Sequence, residues 1–117
     1  MGRSSQAKGR LGERELSALL NEKGYSTRPG APVSFGGEPD VLGLPGVHIE
    51  VKRRECADIP AALRQAAQDA EYFSGGEDIP VVFTRGNGQH WRAVMDLEAF
   101  LRFYRHTDFL PPKEGTQ

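Results

Sequence analysis

The sequence predicts a mixed α/β (α+β) domain, with helices flanking a central mixed sheet. Two observations carry that prediction. Apolar residues recur at helical spacing in three stretches and in short extended runs in five others. Turn residues separate these stretches one after another. The predicted order is α-β-β-β-α-β-β-α, with no internal repeat.

The first helix spans Arg10 to Lys23, with Leu16, Leu19 and Leu20 as its apolar stripe and Gly24 as its stop. Gly12 lies on that stripe, where a second backbone can approach closely. Glu13 shares the edge of the stripe and needs a partner, because an unpaired buried carboxylate is costly. A short strand over Tyr25 to Arg28 leads into a Pro- and Gly-rich loop over 29–38. Pro39 to Gly43 is a second strand, begun by a proline where no ladder donor is needed. Leu44-Pro45-Gly46 turns the chain into a third strand, Val47 to Arg53. There Ile49 and Val51 share one face while His48, Glu50 and Lys52 share the other. The expectation is an apolar floor beneath a charged upper surface.

Asp58 or Ile59 caps the second helix, Pro60 suits its first turn, and Gly75-Gly76 ends it. Its stripe of Leu63, Ala66, Ala67, Ala70 and Phe73 is small enough to lie close on a sheet. Ile79 to Arg85 and His90 to Met95 are the last strands, with Asn87-Gly88 as a hairpin signal. Asp96 caps a final helix carrying Leu97, Phe100, Leu101 and Tyr104. Residues 1–9 are expected as a basic flexible arm, 10–107 as one domain and 108–117 as a flexible tail. Phe100, Phe103 and Tyr104 are expected chiefly in the core, with a share in a subunit interface as the alternative. Trp91 is expected in the core or at its rim.

The chain has 117 residues, enough for one core and not for two. No apolar run approaches the roughly 20 residues of a membrane-spanning helix. The polar, basic opening lacks the apolar stretch of a secretory signal. The single cysteine, Cys56, excludes an internal disulfide and suits a reducing compartment, so a cytoplasmic location is expected. Net charge is −1, which speaks against coating nucleic acid by bulk charge. The distribution is more telling: residues 1–64 hold ten Lys+Arg against eight Asp+Glu, and residues 65–117 hold five against eight.

Strands two and three, joined by a short turn, should pair and bring Asp40 near Glu50. Two adjacent carboxylates repel unless a cation lies between them. A hard divalent ion binds carboxylate oxygens, a backbone carbonyl and waters. It lowers the pKa of bound water and neutralises charge on a phosphoryl oxygen. Lys52 adds a compact mobile cation on the same face, and Glu13 is a third acidic group within reach. No phosphate-binding loop is present, since Gly86-Asn87-Gly88 is not followed by a helix.

Pro39-Asp40 followed by Glu50-Val51-Lys52 resembles the motif of the PD-(D/E)XK nuclease superfamily. The run Lys8-Gly9-Arg10-Leu11-Gly12-Glu13-Arg14-Glu15-Leu16, with Gly24-Tyr25 and Arg28 beyond it, looks like the start of archaeal-type and phage Holliday-junction resolvases. The resemblance covers roughly residues 3–85. It implies a restriction-endonuclease-like αβββαβ core and Mg²⁺-dependent hydrolysis of DNA phosphodiesters, with Mn²⁺ as a substitute. Glu13, Asp40 and Glu50 are then the metal ligands or their support, with Val51 among the ligands, and Lys52 is the catalytic lysine. Gln65 matches a polar position that contacts the site. Arg3, Lys8, Arg10, Arg14, Arg28, Arg53, Arg54 and Arg64 are the expected DNA contacts. Ser34 is the residue available for the serine such resolvases carry after their first strand. Paired cuts in a branched substrate imply a two-fold homodimer, in DNA recombination or repair in a bacterium or phage-infected cell. The alternatives are a nuclease for flaps or other structured DNA, and a non-catalytic DNA-binding module of the same fold.

Overall fold

A computed structural model of the chain describes residues 2–31 and 38–109, with side chains from Arg10 onward. Its elements are α1 (Gly2–Glu22), β1 (Arg28–Pro29), β2 (Val41–Leu42), β3 (Val47–Arg53), α2 (Ile59–Ser74), β4 (Ile79–Arg85), β5 (Arg92–Val94) and α3 (Leu97–Tyr104). The class is α+β, in the predicted element order. The five strands form one sheet in the order β1-β2-β3-β4-β5. Only β3 and β4 run parallel, with α2 as the crossover between them. The other neighbours are antiparallel.

Alternation along β3 and β4 decides which helix lies where. Ile49 pairs with Val81 and Glu50 with Val82, so the odd-numbered residues of β3 share a face with the odd-numbered residues of β4. On that face α1 brings Leu16 against Val41, Ile49 and Val51. Farther along it, α3 sets Ala99 against Ile79 and Val81. On the opposite face Ala62 and Ala66 of α2 pack on Val82. The surface carrying His48, Glu50 and Lys52 is therefore roofed by α2 and is not the open charged surface the strand pattern suggested. His48 is fully buried and Glu50 is 9% exposed.

Caps follow the local signals. The Asp58 carboxylate accepts the Ala61 N–H at 3.0 Å, and Pro60 occupies the first turn of α2. Gly75 takes the left-handed conformation after the last turn, and the Gly76 N–H reaches back to Ala70. Asp96 stands at the start of α3 with extended backbone, but its side chain makes no capping hydrogen bond.

Four boundaries differ from the sequence reading, the second strand being Val41–Leu42 rather than Pro39 to Gly43. Helix α1 begins at Gly2 rather than Arg10, because 2–9 contain no proline and an established helix extends at little cost. Strand β1 lies later than predicted, at Arg28–Pro29. There Thr27 is held by Asn21 through its N–H (2.7 Å) and carbonyl (3.0 Å), and by Ser17 through its hydroxyl (2.9 Å). Strand β5 is shortened by a turn closed by the Gln89 N–H on Gly86. Trp91 borders the core as expected. Phe103 packs on the core, whereas Phe100 is half exposed and stacks on Tyr104. Ser34 and residues 110–117 lie outside the described residues.

The close approach inferred for Gly12 is present. A Cβ there would lie 2.5 Å from Arg53 Cβ and 3.3 Å from Val51 Cγ1. Helix propensity alone would make Gly12→Ala stabilising by about 1 kcal/mol. Collision with β3 reverses the sign, and we expect a loss of about 1–3 kcal/mol in denaturant unfolding. A stabilised variant would contradict the packing of α1 on β3.

Candidate functional site

The site begins with a backbone donor. Strands β2 and β3 pair at Val41 and Ile49, and the Asp40 N–H donates to the Ile49 carbonyl at 2.9 Å. Beyond that point the strands part. The Val51 N–H meets the Asp40 side chain instead, donating to Oδ2 at 2.8 Å. The Asp40 carbonyl in turn accepts the Gly30 N–H at 2.8 Å, and any side chain at Gly30 would strike the Pro39 carbonyl. Asp40 is thus fixed on three sides, with its carboxylate at the fork of the sheet.

Glu50 follows from register. It lies on the α2 side of β3, where Lys52 Nζ stands 3.8 Å from its Oε2. Burial pushes the Glu50 carboxyl up to about 7; Asp40 adds to the shift, Lys52 opposes it, and Asp69 and Glu13 add smaller contributions. Glu13 is likewise raised to about 7, by burial and by Asp40, against the pull of Arg10 and Arg14. Burial raises Asp40 too, while the Val51 N–H and Lys52 hold it down. Asp40 therefore acts on both Glu13 and Glu50, and Lys52 on Asp40 and Glu50, from three elements. The cations acting on Glu13 are Arg10 and Arg14.

Among the described residues, no three His, Cys, Asp or Glu side chains are close enough to form a ready-made metal site. The donor chemistry still fits a hard cation. Mg²⁺ takes one or two carboxylates and keeps most of its waters, and this group offers oxygens alone.

The expected DNA-contacting cations divide into two groups. Arg10 and Arg14 are exposed and line a cavity of about 150 Å³ with Glu13, Pro29 and Gly30. Arg28 and Arg64 are exposed as well. Arg54 lines a cavity of about 210 Å³ with Lys52, Asp58, Ala61, Ala62 and Gln65. Arg53 is engaged elsewhere: it donates to Glu15 at 3.1 Å and to Asn87 at 3.0 Å, and Arg85 meets Glu15 at 2.8 Å. That network fastens α1 to the ends of β3 and β4. Arg3 and Lys8 lie on α1, and their side chains lie outside what the structure describes.

Sequence reading missed Asp69. Gln65 donates to its Oδ1 at 2.9 Å, and its charge acts on Asp40 and Glu50. The available signal was its position one turn after Gln65 on α2. Comparison with protein-family models, curated proteins and solved structures finds no match to this chain.

The raised acids predict a pH effect. A carboxyl with a higher pKa folded than unfolded holds its proton more tightly when folded. Stability from Glu50 is fully present below about 4.5 and is lost as pH rises through about 7. His48, lowered by burial, acts in the opposite direction near pH 6.5. The difference between Glu50→Gln and wild type removes that contribution. In EDTA, the melting temperature of Glu50→Gln relative to wild type should rise from pH 5 to pH 8. A constant difference would contradict the burial of Glu50.

Proposed function

We propose that the chain is a divalent-metal-dependent endodeoxyribonuclease that hydrolyses phosphodiester bonds in branched DNA, a four-way junction foremost, and works as a homodimer. The observation that carries the reading is Asp40 fixed at the β2–β3 fork by the Val51 N–H, with Glu50 and Lys52 paired beside it on β3 and Glu13 of α1 within electrostatic reach of Asp40. A structural role needs no such set, since clustered buried acids cost stability.

Asp40 and Glu50 would hold Mg²⁺ or Mn²⁺, with Glu13 and the Val51 carbonyl as further oxygens. Such an ion supplies an acidified water and a positive charge for the phosphoryl oxygens. The protein's own groups do the rest. The Val51 N–H keeps Asp40 from turning away, so its second oxygen keeps a constant aim. Lys52, at the open end of the face, has a partly exposed ammonium available to a leaving oxyanion. Exposed Arg10, Arg14, Arg28 and Arg54 supply phosphate contacts, which set geometry without reading sequence. That suits recognition of a branched shape. Arg53, held by Glu15 and Asn87, serves the scaffold instead.

The test incubates wild type and Lys52→Ala with end-labelled four-way junction, flap, duplex and single strand, in Mg²⁺ or EDTA. We expect paired Mg²⁺-dependent nicks near the junction centre. The lysine variant should lose at least 100-fold in rate, about 2.7 kcal/mol, while still binding the junction. Cleavage of every substrate alike would move the reading to a general structured-DNA nuclease. Tight binding without cleavage in any metal would make the chain a non-catalytic binding module.

A further inference from the structure

The row of side chains that begins at Lys52 continues across the sheet. Lys52 pairs with Thr84 of β4, and Thr84 pairs with Arg92 of β5. Residues directly opposite one another point to the same face, so Lys52, Thr84 and Arg92 stand in line on the face that carries Glu50. Two strand spacings separate the backbones of Lys52 and Arg92, about 10 Å. The Thr84 hydroxyl ties the row together by donating to the Lys52 carbonyl at 2.9 Å.

The turn between β4 and β5 is held as firmly. Arg53 donates to the Asn87 side chain at 3.0 Å, and the Asn87 N–H donates to Glu55 at 2.7 Å. Arg85 closes the turn by donating to the Gln89 carbonyl at 2.7 Å. Arg53 and Arg85 also meet Glu15 of α1, so both guanidiniums serve the scaffold. Arg92 differs from them. It is exposed, and among the described residues its guanidinium has no ion-pair partner.

Strand β5 is an edge strand, and a charge that only guards a sheet edge serves on either face. This one falls in the row of Lys52, on a backbone fixed by the turn beside it. A guanidinium binds phosphate oxygens through its planar fork. Phosphates of one strand rise about 3.4 Å per nucleotide, so about 10 Å spans two to three nucleotides.

We propose that Arg92 is a substrate-contact residue: its guanidinium holds a backbone phosphate two to three nucleotides from the one cut beside Lys52, on the same strand. This rests on the nuclease reading and deepens it, carrying the track of the DNA strand from β3 to β5. A phosphate contact of this kind sets the register of the strand without reading bases. Arg92 lies away from the reacting atoms, so its loss weakens the grip on the strand and leaves the chemistry in place.

The test measures junction binding, Mg²⁺-dependent cleavage and melting temperature for wild type, Arg92→Gln and Arg92→Lys. The junctions carry a single neutral methylphosphonate at each of the four linkages on either side of the cut, one at a time. Both variants should melt as wild type does, since the position is exposed. On the unmodified junction Arg92→Gln should bind about tenfold more weakly, with a shallower salt dependence, and Arg92→Lys should recover part of the loss. In wild type, a neutral linkage two or three nucleotides from the cut should weaken binding by the same factor. In Arg92→Gln that linkage should have no further effect, because both partners of one contact are already gone. A wild type indifferent to those linkages, or losses that multiply with Arg92→Gln at every linkage, would overturn the assignment of Arg92 and leave the nuclease reading standing. A wild-type chain that cuts no junction would overturn the nuclease reading and this proposal with it.

Discussion

The hydrogen bond from the Val51 N–H to Asp40 is where fold and site depend on each other. It arises because β2 pairs with β3 at Ile49 and then departs, leaving one strand donor to be satisfied. A carboxylate fills that place where a backbone carbonyl would otherwise continue the ladder. The same side chain that closes the sheet therefore supplies the site with its most constrained acid. Around it, Gly30 allows β1 to close in, and Gly12 allows α1 to lie against β3, bringing Glu13 within range of Asp40.

The electrostatics follow from the crossover. Because β3 and β4 are parallel, α2 must pass over one face of the sheet, and that face carries His48, Glu50 and Lys52. Roofing the face withdraws water from Glu50 and raises its pKa. Lys52 lies at the open end of the strand and keeps part of its exposure. A buried acid beside a partly exposed lysine is thus a consequence of strand direction and helix length.

Much of this was legible in the residues. Asp58 with Pro60, Gly75-Gly76 and the alternation of Val47 to Arg53 each act locally, and each marks its element in the right place. Gly12 was also readable, because a glycine on an apolar stripe has few other uses. The pairing that brings Asp40 to Glu50 required only a short turn. What escaped was non-local. The roof over Glu50 depends on how α2 crosses, so His48 read as a half-buried strand residue rather than a fully buried one, and Asp69 did not register. Arg53 read as a free cation because Glu15, its partner, is 38 residues away in sequence. Gly2 to Gly9 carries no apolar stripe, so nothing in its pattern marked it as helix.

The central claim is that Glu13, Asp40 and Glu50, with Asp40 raising the pKa of the other two, form a group that accepts a divalent cation. Calorimetric titration of Mg²⁺ near pH 7, repeated in two buffers of different ionisation enthalpy, tests it most directly. Burial, with Asp40 nearby, pushes the Glu13 and Glu50 carboxyls up to about 7. Cation binding should therefore release protons, and the apparent heat should differ between buffers. Heats independent of buffer, or no binding at millimolar Mg²⁺, would contradict the account.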